Sequence, residues 1–326
     1  MKSLDFGRFA LSMGVGVAML AACGGSQPPA GAAGALAQSP AIATRAEHGG
    51  SWMRPAVSSG GDLLYAADIS GLIYVFTYPQ GNPVGVLQEF PLPGTLCSDS
   101  QGNVFVPIGD QILEYAHGGS QPIATLQDVA NAKAYGCSVD STTGNLAVAN
   151  VQVGDYSGDI AIFQKAQGSP TVYSDQNMLR LLFCGYDNKG NLFVDGLGTS
   201  HFAELPSGSS TFTDLAVHTN DSFGQIQWDG KYITLATRNA ATVYRLRISG
   251  STAKVISKTR LKGLGFRSDS QSWIEGNAIV ATPGTKTYNE KVGIWSYPAG
   301  GKPTLTHTAR AHAHLFGVTV SAGSSH

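Results

Sequence analysis

The chain has few charged residues. Of its 326 residues only 13% are Asp, Glu, Lys or Arg, about half of the roughly 25% found in a typical soluble domain. This shortage disfavours a fold of amphipathic helices, whose exposed faces would carry Lys and Glu. The formal net charge is -1, so no excess of positive charge is present to attract nucleic acid or an acidic membrane surface. The sequence therefore predicts no nucleic-acid partner.

Several catalytic motifs are also missing. The sequence has no Gly-x-Ser-x-Gly nucleophile elbow, no phosphate cradle of the P-loop or dinucleotide type, and no Cys-x-x-Cys pair. The many serines lie in predicted turns. These absences favour a binding role over nucleophilic or nucleotide-dependent catalysis, and they leave an enzyme of another type open.

The first residues form a targeting segment. Lys2 and Arg8 precede an apolar run over residues 9–22, which is too short for a membrane-spanning helix of about 20 residues. The run ends in Leu20-Ala21-Ala22-Cys23-Gly24, which resembles the lipobox of bacterial lipoproteins. The resemblance implies that residues 1–22 are a removed signal peptide and that Cys23 is lipidated. An ordinary secretory signal with an incidental cysteine is the alternative.

The lipobox resemblance also implies an address. Gly24 stands where the family uses an aspartate for inner-membrane retention, so the chain is expected at the cell envelope, anchored through lipid to the outer membrane. Residues 23–50 are rich in Gly, Ala, Pro, Gln and Ser and contain almost no large apolar side chain. Such a segment buries too little surface to fold, which predicts a flexible linker. The folded body is predicted over residues 51–322, with a short tail at 323–326.

The body contains a repeat marked by glycines. Six predicted turns follow β-rich runs at intervals of 40 to 46 residues, and their glycines are Gly61, Gly102, Gly144, Gly190, Gly230 and Gly276. Six later hairpins contain Gly81, Gly118, Gly168, Gly208, Gly250 and Gly300. Glycine suits both turns because it adopts positive φ without steric strain. The two series predict an all-β fold of six four-stranded blades.

The first blade lacks an inner strand. Residues 63–67, 72–76 and 84–87 supply its other three strands. Residues 315–321 resemble the inner strands but have no blade after them, so we expect this C-terminal strand to close the ring by pairing with the first blade. Residues 51–59 are the rival candidate, although Pro55 disfavours a central strand there.

At the third repeat the chain resembles a known family. Tyr135-Gly136-Cys137-Ser138-Val139-Asp140, with the later runs over residues 144–150 and 158–163, resembles the six-bladed β-propellers of the NHL-repeat and SMP-30/gluconolactonase-like type, over residues 51–321. The SMP-30 resemblance implies a metal-dependent lactonase or esterase with a divalent ion near the axis, and its oxygen ligands suit calcium. Its early glutamate has no counterpart here, and the Asn-His-Arg run of NHL blades is missing.

Polar residues follow the predicted second strands, where loops of a propeller meet on one face. Asp68, Asn150, Asp195 and Asn239 lie there, and residues that form turns through their own side chains are the alternative to ion ligands. His307, His312 and His314 cluster before the last strand, as a transition-metal site or as a polar loop. The predicted ligand-binding face comprises Asp68, Asn150, Arg180, Asp195, Arg267, His312 and His314.

Three cysteines follow Cys23. Cys97, Cys137 and Cys184 all fall on predicted inner strands. The expected interpretation is that they are small buried residues near the axis, while one disulfide is the alternative in an oxidising envelope.

We therefore expect an envelope lipoprotein whose propeller binds a small polar ligand or an envelope protein. The SMP-30-like hydrolase and a structural component of an envelope assembly are the alternatives. No cofactor is predicted for the binding role, and calcium is the ion implied by the hydrolase alternative.

Overall fold

A computed structural model describes residues 50–88, 90–154, 157–198, 202–219, 222–237, 242–263, 271–282 and 290–323. The predicted signal peptide, the linker up to residue 49, Cys23, Asn239 and Arg267 lie outside these ranges. Within them the chain forms strands and two 3-10 helices, Val57–Ser59 and Gln164–Ala166, and no α-helix. None of the helices in this described part has the length and apolar character needed to cross a membrane.

The strands are mostly short, as the spacing of the turn glycines predicts. The first half of the chain forms β1 (Trp52–Met53), β2 (Leu63–Asp68), β3 (Leu72–Thr77), β4 (Pro83–Leu87), β5 (Cys97–Ser98), β6 (Val104–Ile108), β7 (Gln111–Tyr115), β8 (Pro122–Gln127), β9 (Ala132–Val139), β10 (Leu146–Gln152), β11 (Ser157–Phe163) and β12 (Thr171–Tyr186). The second half forms β13 (Leu192–Gly198), β14 (Phe202–Leu205), β15 (Thr213–Asp214), β16 (Phe223–Trp228), β17 (Ile233–Thr237), β18 (Thr242–Ser249), β19 (Thr252–Arg260), β20 (Ser272–Glu275), β21 (Ala278–Ala281), β22 (Lys291–Ser296), β23 (Leu305–Thr308) and β24 (Leu315–Ser321).

The strands pair antiparallel in a β-propeller arrangement. Three sheets have four strands each, β5 to β8, β16 to β19 and β20 to β23, and a fourth has the order β1-β4-β3-β2-β24. The fifth sheet has seven strands, from β9 to β15 in sequence order. The innermost strands contact one another in the order β24, β5, β9, β12, β16 and β20, and β20 contacts β24 again. The all-β propeller prediction is thus confirmed.

The blade count differs from the prediction of six separate blades, because hydrogen bonding defines four separate blades and one larger sheet. The larger sheet forms because β12 is a single strand of 16 residues. Residues 171–174 and Leu179 pair with β11, and Met178, Leu179 and residues 183–186 pair with β13. No glycine or proline interrupts residues 171–184, so nothing in the sequence ends the strand between the two pairings. Arg180, at φ 50, lies in the register shift of the β12–β13 pair between Leu179 and Phe183.

The side chains of β2 show why an almost continuous apolar run is needed here. All six residues of this strand are buried. Leu64 and Ala66 pack in one core cluster, whereas Leu63, Tyr65 and Ala67 pack in the next. Because successive side chains of a strand point to opposite faces, a strand between two neighbouring sheets must be apolar on both faces. The buried core therefore lies between the sheets.

The C-terminal strand occupies the predicted position. β24 pairs antiparallel with β2, from Leu63 opposite Ser321 to Asp68 opposite Leu315. This confirms that the last strand supplies the inner strand of the first sheet. The rival segment lies elsewhere, since Trp52 and Met53 of β1 pair with β4 at the outer edge.

Glutamine side chains join neighbouring inner strands. Gln271, only 1% exposed, precedes β20, and its Oε1 accepts hydrogen bonds from the backbone N–H groups of Leu96 (3.0 Å) and Val318 (2.7 Å). Its Nε2 donates to the Leu96 carbonyl at 2.6 Å. In the same way Gln227 on β16 accepts from the N–H of Ile274 at 2.7 Å and donates to its carbonyl at 2.9 Å. Each amide thus satisfies backbone groups that have no strand partner in the gap between sheets.

Two further contacts join the inner strands. A disulfide between Cys97 and Cys137 links β5 to β9, which corrects the expectation that these two cysteines are merely small buried residues. Cys184 is a free, buried cysteine, which agrees with that expectation. Burial raises the pKa of its thiol. Gly185 allows close approach on β12, because a Cβ there would lie 2.6 Å from the carbonyl oxygen of Ile226.

Gln271 provides a test of these links between inner strands. Gln271→Leu is expected to lower the free energy of unfolding by about 3 kcal/mol. The variant leaves buried backbone groups of Leu96 and Val318 without hydrogen bonds, and each unpaired group costs about 1–3 kcal/mol. Urea unfolding followed by tryptophan fluorescence measures the change. The control is Gln111→Leu, whose amide makes only an exposed 3.5 Å contact with Gln127 and whose loss is expected to change stability by less than about 0.5 kcal/mol. Equal effects of the two variants would contradict this role.

His117 links the second sheet to the closing strand. Its Nδ1 lies 2.6 Å from Ser321 Oγ, and the side chain is 8% exposed. Burial lowers the pKa of His117 from its ordinary value of 6.5, and this outweighs the opposite effects of the Gly61 backbone and the Asp62 carboxylate. Between the lowered folded-state pKa and 6.5 the unfolded chain binds more protons, so stability must fall as the pH falls through this window.

The His117→Gln variant tests this pH dependence. Glutamine keeps a polar partner for Ser321 but does not titrate, so the loss of stability on acidification below pH 6.5 should be smaller than in the parent protein. Urea unfolding of both proteins over a range of about pH 5 to 7.5 measures the difference. Parallel curves over that range would rule out His117 as the source.

Candidate functional site

Aspartates shape the turns between inner and second strands. Asp99 Oδ1 accepts hydrogen bonds from the backbone N–H groups of Gln101 at 2.9 Å and Asn103 at 2.8 Å. Asp187 makes the same two contacts with the backbone two and four residues further on, at 2.8 and 2.9 Å. The turn glycines Gly102 and Gly190 both have positive φ, as predicted. The repeated Asp and Gly residues therefore give these turns one geometry and bring their carboxylates to the same end of the propeller.

A cavity of about 630 Å³ opens at this end, within the usual size range of ligand sites, roughly 300–1,000 Å³. We call it the turn-end pocket and define it by Asp99, Glu114, Asp140, Asp187, Trp228 and Trp273. These residues come from several sheets, and some of them lie on inner strands or in the turns that follow inner strands. The pocket therefore depends on the assembled ring of sheets.

The turn-end pocket is rich in negative charge. Asp99, Glu114, Asp140 and Asp187 contribute four carboxylates, and Lys165 contributes a positive charge. Burial raises the pKa of Glu114, and the negative charge of Asp99 adds to the effect. Three of the carboxylates also stabilise their own turns, whereas Glu114 lies on β7 outside any turn. Glu114 is thus the acidic side chain here that turn geometry does not explain.

Aromatic side chains form the inner wall of the pocket. Trp228, at the end of β16, and Trp273, on β20, are both half-buried. Trp273 packs against the core cluster of the first sheet and against the cluster that contains Cys97 and Cys137, and its Nε1 donates to Glu275 Oε2 at 3.3 Å. A ring that contacts two such clusters is fixed in place, which gives the pocket a rigid aromatic surface.

The predicted ligand-binding face lies at the opposite ends of the second strands. Asp68, at the end of β2, is 3% exposed; its Oδ1 accepts from Ser70 N at 2.7 Å and its Oδ2 from His314 N at 3.1 Å. The structure thus brings Asp68 and His314 together, through the backbone of the histidine. His312 has a positive φ of 65, and its N–H donates to Glu290 Oε2 at 3.2 Å.

Two other residues of that face are buried in separate places. Asp195 is 1% exposed and accepts from the Phe183 N–H at 2.7 Å within the β12–β13 pair. Asn150 is fully buried and contacts Asp128 and Asp159. The Asp195 carboxylate thus has a backbone partner on the neighbouring strand, and the Asn150 amide has two carboxylate partners, so neither contact is a local turn of the kind that Asp68 forms with Ser70. The role of this face in ligand binding stays a prediction. Of its two remaining members, Arg180 lies within β12, and Arg267 lies outside the described residues.

A metal site for the hydrolase alternative would need several ligands at one point. Within the described ranges, no group of three or more His, Cys, Asp or Glu side chains is placed to hold a metal ion. Asp68, Asn150 and Asp195 also have different hydrogen-bond partners. These three residues therefore do not fit the ion that the SMP-30 resemblance implies.

Sequence reasoning did not identify the turn-end pocket as a site. The spacing of the turn glycines predicts the turns that contain Asp99 and Asp187, but it does not show that their carboxylates lie at the same end of one pocket. Trp228 had a visible signal, since Trp228-Asp229 occurs at an inner-turn position. Glu114 had none, because an isolated glutamate on a third strand has the pattern of any solvent-facing residue.

Comparisons with known proteins identify the fold. No protein-family model and no curated protein matches the chain. A protein of unknown function from Bacteroides caccae has a TM-score of 0.63 and 11% identity, covering 80% of this chain and 99% of that one. A chain of a nidogen/laminin complex has a TM-score of 0.65 and 14% identity, covering 81% and 100%. A functionally unknown protein from Desulfotomaculum acetoxidans has a TM-score of 0.52 and 12% identity, covering 82% and 87%. At these identities the likeness extends to the propeller-like fold alone.

Proposed function

We propose that the chain is a lipid-anchored binding propeller of the cell envelope that takes a positively charged organic ligand in the turn-end pocket. The observation that carries the proposal is the combination of four carboxylates with two half-buried tryptophans in one cavity. Carboxylates attract a cation over a distance, and indole faces favour a cation through their quadrupole. An amine or guanidinium ligand satisfies both.

The geometry favours binding of an intact ligand. The Asp99 and Asp187 carboxylates accept backbone hydrogen bonds, which hold them as fixed negative charges. Fixed charges and rigid rings lower the entropy lost on binding, because little of the site must be ordered. No observation in the described residues favours the lactonase or esterase alternative, whose expected ligands lie in separate hydrogen-bond groups.

We also propose that the large sheet counts as two blades, which gives a ring of six. A core cluster containing Ala147 and Ile160 of its first part and Leu192 and Ala203 of its second part lies between the two parts. Clusters of this kind also lie between the other neighbouring sheets. The two halves therefore pack face to face like separate blades, although β12 runs through both.

The envelope address rests on the sequence. Leu20-Ala21-Ala22-Cys23 has the order and small residues of a lipobox, and the polar segment over residues 24–49 has the composition of a flexible tether. A lipid-anchored propeller on such a tether would reach ligands near the membrane surface. We propose the outer membrane, since Gly24 follows the cysteine.

Glu114→Gln tests the ligand class. The full-length protein is expected to bind spermidine, a trivalent organic cation, and not citrate, a trivalent anion, in calorimetric titrations. Binding should weaken with added salt because it depends on exposed charges. Replacing Glu114 should lower the affinity for spermidine by about fivefold, the effect of one partly exposed ion pair.

Glu204→Gln is the matched control. Glu204 also lies on a third strand, and burial together with the charge of Asp187 raises its pKa, just as burial and Asp99 raise that of Glu114. It does not line the turn-end pocket, so its replacement should leave spermidine affinity unchanged. Absence of spermidine binding, or equal losses in both variants, would refute the proposed ligand site.

Cys23→Ser tests the anchor independently. In the bacterial cell the parent protein is expected in the membrane fraction and should incorporate a clickable palmitate analogue, whereas the variant should do neither because it lacks the acceptor thiol. Cys184→Ala is the control, since this buried thiol should not affect labelling. Continued labelling of the Cys23 variant would contradict lipidation at this residue.

A further inference from the structure

The positive charge of the chain is concentrated in one sheet. Residues 222–263, which contain the strands β16 to β19, include eight Lys or Arg residues and a single acidic residue, Asp229. This segment therefore has a net charge of +7, and because the whole chain has a net charge of -1, the remaining residues have a net charge of -8. The small total charge conceals two regions of opposite sign.

The outer edge of this sheet is positively charged. β19 is the outermost strand of the sheet, and its nine residues span roughly 30 Å. We define the basic edge as the exposed side chains of Arg247 on β18 and of Lys254, Lys258 and Arg260 on β19. Asp229 is paired with Arg245 at 2.6 Å, and among the described residues no ion pair forms with the basic edge. Its charge is therefore uncompensated.

Two charges of the basic edge face each other directly. Arg247 and Lys254 are cross-strand partners in the β18–β19 pair. Like charges that lie directly opposite each other in an antiparallel pair destabilise the sheet. Folding of the sheet does not need this repulsion, since neutral polar residues would suit two exposed positions equally well. The pair therefore indicates that the surface meets an anionic partner.

Protection of the strand edge is the alternative explanation. Lysines on an outermost strand prevent edge-to-edge pairing between chains. However, the outermost strands of the other described sheets, β1, β8, β15 and β23, contain no Lys or Arg. Edge protection also gives no reason for the charge of Arg247, because β18 is not an outermost strand. The basic edge is a feature of one sheet, as expected for a docking surface.

The surroundings of the basic edge favour lipid phosphates as the partner. A cavity of about 500 Å³ beside Lys258 is lined by neutral residues and His218, with no carboxylate, and it offers space for a headgroup. The only aromatic residue of β18 and β19 is Tyr244, which is half-buried, whereas proteins that bind single-stranded nucleic acid stack bases on aromatic side chains. A long polyanion would also meet the acidic remainder of the chain, but a flat membrane can touch the edge alone.

We propose that the basic edge docks on the anionic lipid headgroups of a membrane, so that the propeller lies edge-on. Each Lys or Arg near such a surface strengthens binding by about fivefold. The proposal takes its setting from the envelope address proposed above, and it is independent of the ligand of the turn-end pocket. With the edge on the membrane, that pocket opens sideways, along the membrane surface.

Vesicle binding by the full-length Cys23→Ser protein tests the proposal, because this variant lacks the acceptor thiol for an acyl anchor. Flotation with vesicles of phosphatidylcholine and phosphatidylglycerol in equal parts should show binding at least about tenfold stronger than with phosphatidylcholine alone. The neutral vesicles measure any binding through the apolar first residues. Added salt should abolish the difference. Equal binding to the two kinds of vesicle would overturn the proposal.

The double variant Lys254→Gln/Lys258→Gln, in the same background, locates the contact. It should bind the anionic vesicles at least about tenfold more weakly. The matched control, Lys133→Gln/Lys291→Gln, removes the same charge from exposed lysines on β9 and β22 and should bind as its parent does. Equal losses in the two double variants would refute docking through the basic edge. Tighter binding to a DNA duplex than to the anionic vesicles would overturn lipid as the partner.

Spermidine titration separates this proposal from that of the turn-end pocket. Neither Lys254 nor Lys258 lines that pocket, so their double variant should keep the spermidine affinity of its parent while it loses vesicle binding. Loss of both activities would indicate a disturbed fold and would contradict a local role of the two lysines. Failure of the parent to bind spermidine would refute the pocket ligand but would leave the vesicle result as the measure of the basic edge.

Discussion

The fold depends on how the innermost strands meet without sharing a β-ladder. Neighbouring sheets of a propeller leave backbone N–H and C=O groups facing each other across a dry gap, and such groups must find partners. Gln271 and Gln227 solve this with their amides, each of which both donates to and accepts from a facing backbone. The Cys97–Cys137 disulfide and the close approach at Gly185 join other inner strands. These contacts also hold the walls of the turn-end pocket in place.

The architecture was largely predictable because its signals are local. The hairpin glycines Gly81, Gly118, Gly168, Gly208, Gly250 and Gly300 all have positive φ, as their turn positions require, and the unpartnered strand after residue 314 pairs where the repeat lacks an inner strand. Continuity of β12 was not predictable from glycine spacing, since the repeat marks the turns within blades and not the connections between them. The repeat period gives the spacing of residues along the chain and not the distance between two inner strands. It therefore could not predict that Cys97 pairs with Cys137.

The candidate site was harder to predict for a physical reason. Asp99 and Asp187 have a structural role that a single turn explains, and only the three-dimensional arrangement shows that their charges accumulate at one end. Conversely, the sequence predicts Asn150 and Asp195 on an exposed ligand-binding face, but both side chains are buried and hydrogen-bonded within the protein. Position at the end of a strand therefore predicts which end of the propeller a side chain occupies, but not whether it faces solvent.

The outermost strand has a mechanical consequence. β1 contributes only Trp52 and Met53, paired with Val86 and Gly85 at the perimeter of the first sheet, whereas β24 lies at its innermost position. A force applied through the preceding segment would peel this short strand from the rim, breaking few hydrogen bonds and loading them one after another. The long β2–β24 pairing would stay unloaded during that step. The described fold thus begins with a compliant element, and tension applied to the residues that precede β1 is taken up there before it reaches the closure of the ring.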